Sequence, residues 1–142
     1  MERMLLEYVY SVDLPRPPEA VRANARVHWA RRAEAVRSAR ALAHLRVLNE
    51  LGVRRGEVVR NGLYGYRVVW YYKGVRPDVD NCLSACKAYL DGCADAVGAN
   101  DRDWALLGVD VVHDKARAGR VRLEFYGLCK PDGCAGVEGG QV

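Results

Sequence analysis

Residues 63–91 read LYGYRVVWYYKGVRPDVDNCLSACKAYLD, and within them the side-chain periodicity changes from that of a strand to that of a helix. The first twelve, LYGYRVVWYYKG, concentrate Tyr, Val and Trp, residues that suit a pleated surface, and make the strongest strand in the sequence. RPD breaks it. Beyond the break, Leu83, Cys86, Leu90 and Cys93 recur at helical steps, so a helix is expected from about Asp80 to Val97. Asp78 and Asp80 stand between the two. In an extended segment residues i and i+2 point to one side, so both carboxylates can converge on one hard cation. Two carboxylates that close repel each other unless a cation or a helix end lies against them.

Working outward, MLLEYVYSVDL has the length and composition of a strand and meets Pro15, Pro17 and Pro18, which forbid a continued ladder. From Trp29 to Leu51, Val36, Ala39, Leu42 (or Ala43), Val47 and Leu51 recur at three- to four-residue steps, and Gly52 follows as the helix stop. Arg31, Arg32, Arg37, Arg40 and Arg46 decorate the rest of that helix. Downstream, GANDRD leads into a strand, WALLGVDVVH, and DKARAGR turns into VRLEFYG, read as its hairpin partner. The order β-α-β-α-β-β defines an α+β fold: a small mixed sheet with two main helices packed on it. One domain is expected over residues 1–127, followed by a loose Gly-rich tail over 128–142.

With 142 residues, 50% apolar and 28% charged, the chain has the composition of a soluble globular domain. No apolar run approaches the roughly 20 residues of a membrane helix, and the acidic residues Glu2, Glu7 and Asp13 exclude a signal peptide. Cys82, Cys86 and Cys93 lie at core spacing, while Cys129 and Cys134 form a lone C-x4-C that lacks the four ligands of a zinc site. A reduced, cytoplasmic chain is expected. The net charge of +4 conceals a division. Met1–Arg76 holds 15 basic and 7 acidic residues, a balance of +8, and Pro77–Val142 holds 7 basic and 11 acidic, a balance of −4. Such a division suits a polyanion held by one part and a cation-binding acidic centre in the other, though uneven surface charge alone would also produce it.

A third acid for the Asp78–Asp80 pair is available in NDRD, where Asp101 and Asp103 precede the next strand. Strand, D-x-D, helix, acidic loop and strand, in that order, can return both acidic segments to one end of the sheet. A cluster of that kind suits Mg2+ or Mn2+, which take oxygen ligands and activate water against a phosphodiester. A bare D-x-D is also what a helix N-cap supplies.

The full pattern goes further. RPDVDN, then Lys87 and Asp91 in the helix, ND before a strand, and LPRPP and HWARR upstream resemble the RusA family of Holliday junction resolvases over roughly residues 8–113. The resemblance implies a RusA-like fold, a homodimer, four-way junction DNA as substrate, and Mg2+ (or Mn2+) held by Asp78, Asp80 and either Asp101 or Asp103. It implies no nucleotide cofactor and no membrane. The family lysine one turn past D-x-D-N is replaced by Ser84. Lys87 is the nearest substitute, four residues before Asp91, and on a continuous helix it would be rotated by about 60°. Arg22, Asn24, Arg26, His28, Arg31, Arg32 and Arg76 are the candidate DNA contacts, since Arg neutralises phosphates without regard to sequence. Trp29 is expected to anchor the core, and His44 and His113 to serve packing or surface. The expected activity is junction-selective endonuclease cleavage. The rival readings are a non-catalytic nucleic-acid-binding protein of the same fold and another metal-dependent phosphoesterase acting on RNA or a flap.

Overall fold

Alternation builds the first strand, β1 (Leu5–Pro15): Tyr10, Val12 and Leu14 turn inward and Ser11 and Asp13 outward. The computed structural model describes residues 4–21 and 28–129. After a 3-10 turn at Glu19–Val21 comes helix α1 (Trp29–Leu51), which buries Ala39, Ala43, Val47 and Leu51. Gly52 ends it at φ 51° and donates its N–H to Leu48, as the sequence led one to expect. A short helix, α2 (Arg55–Asn61), has no periodic signature in the sequence; it buries only Val58, and Arg55 Nε donates to the Ala96 carbonyl at 2.6 Å. Then follow β2 (Gly65–Tyr72), α3 (Val79–Ala85), α4 (Lys87–Val97), a 3-10 turn at Asp101–Asp103, β3 (Ala105–His113) and β4 (Arg120–Cys129).

The expected α+β class and mixed sheet hold, with the strand order β1-β4-β2-β3. β4 runs antiparallel to both β1 and β2, and β2 runs parallel to β3. The expected β3–β4 hairpin does not form, because β4 crosses over to pair between β1 and β2 and leaves β3 at the edge. Inserting there buries Val121, Leu123 and Phe125 completely, which an edge position would forgo. β4 also continues through Cys129, two residues past the expected domain boundary at 127.

The core lies between one face of the sheet and the helices. Tyr10 stacks on Phe125 with ring centroids 4.8 Å apart, and Trp104 meets the same Phe125 edge-on at 5.1 Å. Cys82, Cys86 and Cys93 are buried free thiols, as their spacing implied. The other face of the sheet carries ion pairs, Arg122 with Asp13 at 3.0 Å and Arg67 with Asp110 at 3.2 Å. Among the described residues no helix is long and apolar enough to cross a membrane.

Two expectations near the acidic residues are corrected. The single helix over 80–97 is interrupted at Cys86 (φ −89°, ψ 0°), whose N–H reaches back only three residues to Leu83. The premise of a continuous 3.6-residue helix, and of a 60° rotation of Lys87, therefore fails. The second concerns the acidic loop. Parallel pairing of Gly65 with Ala105 and of Tyr72 with His113 sets Asp101–Asp103 before the start of the β2–β3 pair, whereas Asp78 and Asp80 follow its end.

Candidate functional site

Asp78 caps α3 from an extended conformation, and Asp80 sits in the first turn; both side chains are exposed, and Asp78 makes no side-chain cap bond. Their placement follows locally: Pro77 holds the chain extended, and the helix starts at once behind it. One turn past Asp80, Ser84 Oγ donates to the Asn81 carbonyl at 3.4 Å.

A polar cluster forms around Lys87, the first residue of α4. Its Nζ donates to Asp101 Oδ2 at 2.7 Å and to Asp91 Oδ1 at 2.8 Å. Burial by itself lowers the Lys87 pKa, but the hydrogen bonds it donates to Asp101 and Asp91 outweigh it and the net shift is upward. Asp101 is positioned by the 3-10 turn, whose N-cap Asn100 accepts the Arg102 N–H at 3.0 Å. Asp103 is exposed and does not join the cluster. Of the two candidates for the third acid, Asp101 is thus the one brought to Lys87.

Lys87, Asp91 and Asp101 open onto a cavity of about 500 Å3 that is also lined by Ser84, Tyr66 and Arg32. Burial raises the Tyr66 phenol pKa, and the Asp101 charge adds to the shift. A smaller cavity of about 300 Å3 is lined by Trp70, Arg76, Pro77, Asp78, Asn81 and Cys82. Asp78 and Asp101 therefore line different cavities.

The candidate DNA contacts divide. Arg22, Asn24 and Arg26 lie outside the described residues. His28 is the N-cap of α1 and accepts the Ala30 N–H through Nδ1 at 3.2 Å, a structural duty. Arg31 is exposed on α1, Arg32 lines the larger cavity, and Arg76 Nη1 donates to the Val111 carbonyl at 3.2 Å on edge strand β3. Trp29, expected in the core, is 75% exposed, because it occupies the first position of α1, short of the turns that face the sheet. His44 is half-buried on α1, and His113 is exposed with its ring 5.3 Å from that of Tyr72.

Carboxylate oxygens are the donors a hard divalent cation takes. Among the described residues, however, no three Asp, Glu, His or Cys side chains stand close enough to hold one. Asp101 is engaged by Lys87 instead. The donor chemistry suits Mg2+, but the three-ligand grouping of Asp78, Asp80 and Asp101 is not assembled. Sequence reasoning passed over Asp91 as a site residue, although its i,i+4 spacing from Lys87 was a readable signal. It also passed over Trp70, which only the packing of α3 brings beside Asp78.

Fold and site together define a mixed α+β protein with an acidic, lysine-bridged cluster beside a cavity and an exposed D-x-D-N at the start of a helix. The chain is 35% identical over 130 residues to an uncharacterized protein of Xylella fastidiosa (strain Temecula1), an alignment spanning 87% of this chain and 80% of that protein. It belongs to the family of that protein. No protein-family model matches it.

Proposed function

We propose that this chain is a RusA-like, structure-selective endodeoxyribonuclease that cuts four-way DNA junctions in the cytoplasm as a homodimer. A two-fold junction offers two equivalent strands, and a two-fold protein offers two matching sites. The observation that carries the reading is the Lys87 ammonium held between Asp91 and Asp101. It joins the K-x-x-x-D and N-D motifs of the resemblance in one place, and Lys87 stands in for the lysine that Ser84 replaces.

Within this reading, Asp78 and Asp80 present exposed carboxylates, Lys87 supplies a fixed positive charge for a phosphate oxygen, and Arg31, Arg32 and Arg76 hold the backbone. The requirement for Mg2+ (or Mn2+) rests on the resemblance. Since the ligands are not grouped, no step is derived through the metal.

A second reading, a junction-binding protein without chemistry, is favoured by that same lack of a three-ligand group and by Ser84. Incubation with a labelled four-way junction, with and without Mg2+ and beside an Asp80→Asn variant, separates the two. Paired, metal-dependent nicks that vanish in the variant while binding survives support the nuclease. Tight binding without nicks in either metal overturns it.

A further inference from the structure

Trp70 is 6% exposed, and among the described residues its indole Nε1 is a buried donor without a hydrogen-bond partner. An unmet buried donor is costly, so a fold that keeps one beside a cavity has use for an acceptor there. The cavity of about 300 Å3 that Trp70 lines supplies more donors, the Asn81 amide and the Arg76 guanidinium. Arg76 engages Val111 through Nη1, and its guanidinium carries further N–H groups. Arg16 lies against the same indole, its Cζ 5.6 Å from the centre of the Trp70 ring. Asp78 brings one negative charge against these two positive ones.

We infer that this cavity is a binding site for a backbone phosphodiester, with Trp70, Asn81, Arg76 and Arg16 converging on its anionic oxygens and Asp78 at its rim. The site calls for a compact ligand that only accepts hydrogen bonds and carries negative charge, which a phosphodiester is and a nucleobase is not. The neighbouring Cys82 thiol registers the same field. Burial pushes its pKa up to about 11, the charges of Arg16 and Arg76 pull against that, and Asp78 adds to it. The inference rests on the nuclease reading for its substrate class and deepens it, because it sets the held phosphate beside Asp78.

The test is a proton–nitrogen NMR titration of the full-length protein without divalent metal. The chain has three tryptophans and hence three indole N–H signals, and the Trp70 signal is the one lost in Trp70→Phe. Dimethyl phosphate and the dinucleotide thymidylyl-thymidine are each expected to move the Trp70 signal and leave that of Trp104 in place, while thymidine alone moves neither. Trp70→Phe and Arg76→Gln should each weaken dinucleotide binding roughly tenfold, with an unchanged Trp104 signal certifying the fold. A Trp70 signal unmoved by both phosphodiesters, or moved equally by thymidine, overturns the site. Nicking of the junction is read independently. A phosphate-responsive Trp70 in a protein that cuts nothing sinks the nuclease and keeps the site; a cutting protein with a silent Trp70 does the reverse.

Discussion

Lys87 and Asp101 lie 14 residues apart in the chain and meet at 2.7 Å, and Asp91 meets the same ammonium at 2.8 Å. The contact ties the start of α4 to the 3-10 turn that leads into β3, so one side chain links the two acidic motifs.

Replacing Lys87 with Met removes that link. The Lys87 side chain is 60% exposed, so the loss of stability should stay at or below about 1 kcal/mol. Junction nicking should fall far more, roughly 100-fold or beyond, if Lys87 meets the charge developing on the phosphate. Urea midpoints and nicking rates are the measurements; a variant that nicks at the parent rate removes Lys87 from the mechanism.

The same ammonium makes an alkaline prediction. Its pKa is raised in the folded state from the ordinary 10.5, so its stabilising contribution is complete below 10.5 and fades as the pH climbs through the raised value. Stability of the parent protein should therefore fall toward that of Lys87→Met above 10.5, as followed by urea midpoints on either side of that pH.

Arg40 and Asp95 behave in the opposite sense. They form a two-point bond, at 2.6 and 2.8 Å, between α1 and α4. The Arg40 hydrogen bond lowers the Asp95 pKa from 3.8 against the opposing effect of burial. The contribution is thus present above 3.8 and lost as the pH drops through the lowered value. With the two side chains 50% and 35% exposed, Asp95→Asn should cost only about 0.5–1 kcal/mol near neutrality. The gap should close in acid, and a gap that persists there would mean the Asn variant acts by another route.

Gly92 lies where α4 crosses α1, and a Cβ there would meet the Arg40 carbonyl oxygen at 2.1 Å. Gly→Ala inside a helix ordinarily gains about 0.5–1 kcal/mol. Here the backbone contact should reverse the sign and cost about 1–3 kcal/mol. Thermal unfolding of Gly92→Ala decides it, and a stabilised variant would show that the two helices are not this close.

Tyr10 is 1% exposed, and its hydroxyl has no partner among the described residues. Tyr10→Phe keeps the stack on Phe125 and deletes an unmet polar group, so stability should hold or rise by about 1 kcal/mol. A loss of 2 kcal/mol or more in denaturant titration would reveal a hydrogen bond that Tyr10 makes in solution.

What could be read along the chain was what neighbouring residues decide. Helix α1 runs from Trp29 to Leu51 and stops at Gly52, as the apolar steps and the glycine dictate, because helical hydrogen bonds and a positive-φ glycine stop span only a few residues. The strand at 65–72 and the helix start behind Pro77 are local in the same way. Tertiary structure alone decided the pairing of β4 between β1 and β2, since strand hydrogen bonds join residues far apart in sequence and the burial of Val121, Leu123 and Phe125 settles which partner is chosen. It also decided the break at Cys86, which no residue type announces, and with it the meeting of Lys87 with Asp101 rather than Asp103. The separation of Asp78 from Asp101 has the same origin: in a parallel β2–β3 pair Asp78 follows one strand and Asp101 precedes the next, and the two line different cavities.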